Sequence, residues 1–123
     1  MKNIPDGSVD LVLTDPPYGT MNRKTRRPEK RLDDITWDFV LDEKIILQEL
    51  CRIVRQNGKI ALFSQEPYTS KLILAGVPRI QFIQRLAWKK NVAGNFLCSS
   101  QNCMQYIEDI CLFRKDCNDY NGK

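Results

Sequence analysis

One stretch constrains this chain more than any other: Val9-Asp10-Leu11-Val12-Leu13, followed at once by Thr14-Asp15-Pro16-Pro17-Tyr18-Gly19. Val9, Leu11, Val12 and Leu13 form a near-continuous apolar run, the composition of a central parallel strand covered on both faces. The run stops abruptly. Pro16 and Pro17 have no backbone N–H and a fixed φ, so neither extends a central ladder. Asp15 precedes a proline and is driven to an extended conformation. A strand over residues 9–15 therefore ends in a carboxylate, two bare carbonyls and an aromatic ring. In open α/β sheets the carboxyl end of a strand is where ligands bind. An isolated Pro-Pro is commonly no more than a strand stop. Here acid, proline pair and tyrosine are contiguous and follow a β run directly.

The rest of the sequence reads as one α/β domain over residues 1–123. Asp6-Gly7-Ser8 is turn chemistry before the first strand. Asp42-Glu43 place acids at a helix start, and Ile45, Ile46, Leu50, Ile53 and Val54 recur at helical spacing. Gln56-Asn57-Gly58 is the stop, with Gly58 as the left-handed cap. Lys59–Ser64 is a second, apolar strand, parallel to the first through the helical crossover. Ser64-Gln65-Glu66-Pro67-Tyr68 brings its end to the same edge as Asp15, with Glu66 expected as a solvent-exposed loop acid. Thr69–Ala75 is a short helix, ended by Gly76 and Pro78. Ile80–Trp88 alternates as a third strand, with Phe82, Gln84, Leu86 and Trp88 on one face. Tyr106–Arg114 is the last. The polar loop 91–105 between them makes an antiparallel hairpin, and the tail 115–123 is polar.

Composition narrows the chemistry. Apolar content is 42% and charged content 28%, and no apolar run is long enough for a membrane-spanning helix. The N-terminus lacks the apolar core of a signal peptide, which gives a cytoplasmic expectation with reduced thiols for the five cysteines. No cysteine pair has CxxC spacing and histidine is absent, so no metal site and no Ser–His or Cys–His arrangement is expected. Net charge is +4, and six Lys or Arg residues crowd between Arg23 and Arg31 in the loop 19–37. Arg23, Lys24, Arg26 and Arg27 are the candidates for contacts to nucleic-acid phosphates; a solvated charged loop is the plainer alternative. Trp37-Asp38 closes that loop.

Leu13-Thr14-Asp15-Pro16-Pro17-Tyr18-Gly19 resembles the catalytic motif of amino-group DNA methyltransferases that use S-adenosylmethionine. The lead-in Ile4–Asp10, the Trp37-Asp38 pair and Trp88-Lys89-Lys90 extend the resemblance through most of the chain. Asp at the first motif position is similar to the adenine-specific members; cytosine-amino members more often carry Ser there. The resemblance implies a partial Rossmann-like methyltransferase sheet, with S-adenosyl-L-methionine as cofactor, DNA as partner and a restriction-modification setting. Asp15, Pro16, Pro17 and Tyr18 are the implied catalytic residues, with Asp15 also near the cofactor. The Asp15 carboxylate and the Pro16 carbonyl accept the two hydrogens of an exocyclic amino group and turn its lone pair outward. Pro17 stiffens the turn. Tyr18 stacks on a base flipped out of the duplex.

The chain departs from the family at the cofactor half. The family's glycine-rich turn needs glycines two residues apart, and Gly7, Gly19, Gly58, Gly76, Gly94 and Gly122 contain no such pair. The expectation is a catalytic-motif portion that requires its missing C-terminal half or another chain. The rival readings are an inactive nucleic-acid-binding fragment and a cytosine-amino, RNA or glutamine methyltransferase.

Overall fold

The computed structural model describes residues 1–17, 41–94, 100 and 103–116. Their elements run β1 (Val9–Thr14), α1 (Glu43–Ile53), β2 (Val54–Ser64), α2 (Tyr68–Leu74), β3 (Ile80–Gly94) and β4 (Gln105–Lys115). The sheet has the order β1-β2-β4-β3. β1 and β2 are parallel, and β4 is antiparallel to both β2 and β3. This is the mixed α/β sheet with a C-terminal hairpin that the sequence leads one to expect. The last strand is inserted between the second and third, an order that element spacing does not reveal.

α1 begins at Asp42, whose carboxylate accepts from the backbone N–H groups of Lys44 and Ile45, both at 2.9 Å. Its buried stripe is Ile46, Leu47, Leu50 and Ile53. Ile45, expected on that stripe, is exposed. It lies about 140° round the helix from Leu50, and Leu47 takes its place. Arg52, in the last turn, ties down the lead-in: it donates to the Ile4 carbonyl at 2.9 Å and the Met1 carbonyl at 3.1 Å, and pairs with Asp6 and Glu49. Gly7 makes the expected turn with a φ of 62°.

Gly58 is not the helix cap. The helix ends at Ile53, Val54 is already extended, and Asn57 takes the left-handed conformation at φ 60°. Gly58 is required for space. A Cβ there would clash with Val54 Cγ1 and sit 2.9 Å from the Arg55 carbonyl oxygen and 3.0 Å from that of Asp10. Gly58→Ala is expected to destabilise the chain by about 1–3 kcal/mol, measured as a lowered midpoint in urea, because two of the obstructing atoms are backbone.

The two helices share one face of the sheet. Ile60, Leu62, Cys111 and Phe113 from β2 and β4 pack with Leu47, Leu50, Ile53, Tyr68 and Leu72 into a single core. Residues directly opposite in a ladder point to the same side. The register Leu13–Ala61–Leu112–Gln84, with Phe63–Ile110–Leu86 and Glu108–Trp88 beyond it, therefore defines the other face. Among the described residues nothing covers it. Leu11 is 57% exposed, Leu13 63%, Leu86 41% and Trp88 47%.

Two expectations are thereby corrected. β1 is not covered on both faces, and among the described residues it pairs only with β2. Phe82 and Trp88 do not share a face. The register shifts between Phe82 and Gln84, which sends Phe82 inward against Phe113, ring centroids 5.6 Å apart, and leaves Gln84, Leu86 and Trp88 on the bare side. Such a bulge adds one residue to one strand and reverses the alternation beyond it.

Candidate active site

β1 and β2 are in parallel register up to Thr14 and Leu62, which brings Asp15 out level with Phe63 at the carboxyl edge. Pro16 is buried and Pro17 half-buried behind it, and Asp15 itself is exposed. Pairing of β2 with β4 ends at Ser64 and Asp109, but β3 and β4 stay paired from Ala87–Asp109 on to Gly94–Gln105. The hairpin thus overhangs the carboxyl edge, and the expected third strand, which stopped at Trp88, runs to Gly94.

The overhang carries a second group of side chains to the Asp15 end of the bare face. The Trp88 ring meets Phe63 edge-on, with centroids 5.5 Å apart at 77°. Lys90 Nζ lies 5.9 Å from the Trp88 ring centroid and pairs with Glu108. Partial desolvation holds the Asp15 carboxyl above its ordinary range, and the positive charge of Lys90 opposes that shift. Gln65 donates to Gln105 across the same edge.

A different network lies under the helices. Thr69 Oγ1 donates to Asp109 Oδ2 at 3.0 Å and is 2.9 Å from Ser64 Oγ, which is 3.5 Å from Cys111 Sγ. Burial pushes the Cys111 thiol up, so it stays protonated. Glu66 is the exposed acid expected from the sequence. It accepts from the Ser70 N–H at 3.3 Å and the Ser70 hydroxyl at 2.8 Å, fastening the start of α2.

Of the residues singled out in the sequence, Asp15, Pro16 and Pro17 are placed at one edge with Trp88 and Lys90. Tyr18, the loop 19–37 with Arg23, Lys24, Arg26 and Arg27, Trp37-Asp38, residues 95–99 and 101–102 of the second loop and the tail from 117 lie outside the described residues. Phe63 and Glu108 were not anticipated as site residues. Among the described residues no group of His, Cys, Asp and Glu is arranged to hold a metal ion, and no helix is long and apolar enough to cross a membrane.

No family model and no curated protein matches the chain. Solved structures do. M1.HpyAVI in complex with SAM is 16% identical over 94% of this chain and 47% of its own, with a TM-score of 0.53. TTHA0409 from Thermus thermophilus, complexed with S-adenosyl-L-methionine, is 18% identical over 99% of this chain and 54% of its own, at 0.54. The PvuII DNA methyltransferase, specific for cytosine N4, is 12% identical over 92% of this chain and 44% of its own, at 0.55. At these identities what is shared is the fold, and it is part of a methyltransferase fold. The chain spans about half the length of the solved structures it matches.

Proposed function

We propose that this chain is the catalytic-motif portion of an S-adenosylmethionine-dependent DNA methyltransferase that modifies an exocyclic amino group, with adenine as the base. The observation that carries this reading is the position of Asp15-Pro16-Pro17. They close a parallel strand at the carboxyl edge of a sheet that superposes on methyltransferase structures, two of them solved with the cofactor.

The amino nitrogen of adenine is a poor nucleophile because its lone pair is delocalised into the ring. The Asp15 carboxylate and the Pro16 carbonyl are two acceptors one residue apart on a stiff turn. Together they hold both amino hydrogens and aim the lone pair at the incoming methyl carbon, so positioning and electrostatics supply the rate. Tyr18 stacks on the flipped base, and Arg23, Lys24, Arg26 and Arg27 hold the DNA backbone. The cofactor supplies a methyl group activated by its sulfonium charge. Residues fitted to cradle the rest of it are lacking, since no two glycines are spaced for the close-approach turn. That cradle belongs to a further half, which the open edge of β1 and the bare face carrying Leu11, Leu13 and Phe63 are suited to receive.

The test is calorimetric binding of S-adenosylmethionine to this chain, followed by transfer of radiolabelled methyl to DNA in the presence of a half that carries the glycine-rich turn. The expected result is no binding by the chain alone and label on adenine N6 once the halves are combined. A combined preparation that binds the cofactor and transfers nothing would overturn the proposal. The likeness to the cytosine-N4-specific PvuII enzyme favours a second reading, which label on cytosine N4 would establish.

A further inference from the structure

The bare face holds one charged pair in otherwise apolar surroundings. Lys90 and Glu108 side chains are 22% and 15% exposed, and Trp88, Leu86, Ile110 and Phe63 lie on the same face around them. Taking two charges out of water offsets most of what their attraction returns, and apolar residues of similar volume commonly serve stability as well or better. Stability therefore does not account for the pair. The backbone is nevertheless shaped to accommodate it. The β3–β4 register shifts between Lys89 and Gly94, and a Cβ on Gly94 would lie 3.3 Å from Lys90 Nζ and 3.6 Å from the Gln105 carbonyl oxygen. The ammonium is thus enclosed by the Glu108 carboxylate, the Trp88 ring and a position without a side chain.

We propose that Lys90 is a positioning residue of the Asp15 site: held by Glu108 and by the room at Gly94, it fixes the Trp88 ring and keeps the Asp15 carboxylate ionised as a hydrogen-bond acceptor. This deepens the methyltransferase reading and rests on it for its purpose. Its physical content, a cation shared between two acids, stands apart from any transfer. Among the described residues, the titratable groups at this end of the bare face are Asp15 after β1, Lys90 on β3 and Glu108 on β4; β2 contributes Phe63 and the uncharged Gln65. Asp109, Arg85 and Glu66 point to the helix-covered side, where Arg85 is 3.8 Å from Asp109 and 3.9 Å from Glu66. The three groups therefore carry two potential negative charges and one positive charge. Removing Lys90 and removing the charge of Glu108 must move Asp15 in opposite directions.

The experiment is a carboxylate-detected NMR titration of Asp15, with the Trp88 indole N–H followed in the same samples, on the wild-type chain and on Lys90→Met, Lys90→Arg and Glu108→Gln. Lys90→Met is expected to raise the Asp15 midpoint by about half a pH unit or more, and Glu108→Gln to lower it. Lys90→Arg, which keeps the charge, should leave it near the wild-type value, and only Lys90→Met and Glu108→Gln should shift the indole resonance. An unchanged Asp15 midpoint in Lys90→Met, or shifts of the same sign in Lys90→Met and Glu108→Gln, would overturn the proposal. Neither readout requires methyl transfer. If transfer is never found but the opposite shifts are, the electrostatic arrangement stands and the methyltransferase reading falls.

Discussion

Phe113→Ala lowers the unfolding free energy of this chain by about 3–5 kcal/mol, whereas Leu13→Ala in the same sheet changes it by less than about 0.5 kcal/mol. Phe113 is 2% exposed and packs edge-on against Phe82 inside the single cluster formed by both helices and the inner strands. Truncation leaves a cavity there that a close-packed interior relaxes into only partly. Domains of this size are stable by only about 5–15 kcal/mol, so the variant approaches the threshold of folding. Leu13 points to the bare face and is already in contact with water, so its truncation removes little buried area. Urea unfolding of both variants, followed by circular dichroism, checks the pair. A loss for Leu13→Ala comparable to that for Phe113→Ala would mean that the bare face is covered in solution.

The contrast between these two residues also marks how far the sequence could be read. Val9–Leu13 announces a strand, and Asp15-Pro16-Pro17 announces its end at a ligand-binding edge, because local chemistry decides both. The Asp42 cap and the Leu50–Ile53 stripe are legible for the same reason. Which face of a strand is buried is decided by partners elsewhere in the chain. A continuous apolar run reads as two-sided burial, yet Leu11 and Leu13 face outward because α1 and α2 lie on the same side. The Phe82–Gln84 bulge has no local signature, and without it Phe82 and Trp88 would share a face. Gly58 reads as a helix cap because it follows a helical pattern; the close approach of Val54 and the Asp10 carbonyl becomes visible only once β2 lies beside β1. The Lys90–Glu108 pair was the least legible part of the site. It is formed across the hairpin by a register that sequence separation does not specify, in a strand whose end reads as Trp88.

Asp15→Ala slows methyl transfer by the completed enzyme by about a hundredfold or more while leaving the fold intact. Removing one preorganised group of this kind typically slows turnover by about 10²–10³, and here the same carboxylate both orients the amino group and faces the positive charge that develops on it. Asp15→Asn is expected to be nearly as inactive, because its amide presents N–H donors where the substrate also presents hydrogens. Neither substitution touches the core, since Asp15 is exposed at the sheet edge. The direction of the pH effects follows from the raised carboxyl. A folded-state value above the unfolded one means that the folded chain holds this proton more tightly. The group's contribution to stability is therefore present at low pH and is lost as pH rises through the window between the ordinary and the raised value. Asp15→Asn removes that window, so its unfolding midpoint at neutral pH equals or exceeds that of the wild type. Transfer runs the other way: it needs the ionised carboxylate and falls as pH drops through the raised value, at a higher pH than an ordinary aspartate would give. Radiolabel transfer to DNA by the completed enzyme, measured across the acid range beside thermal unfolding of the same variants, tests both directions together. A variant that loses activity and stability in parallel would show that Asp15 is structural; loss of transfer with the fold unchanged or firmer is the outcome expected of an acceptor held at some cost to the sheet edge that carries it.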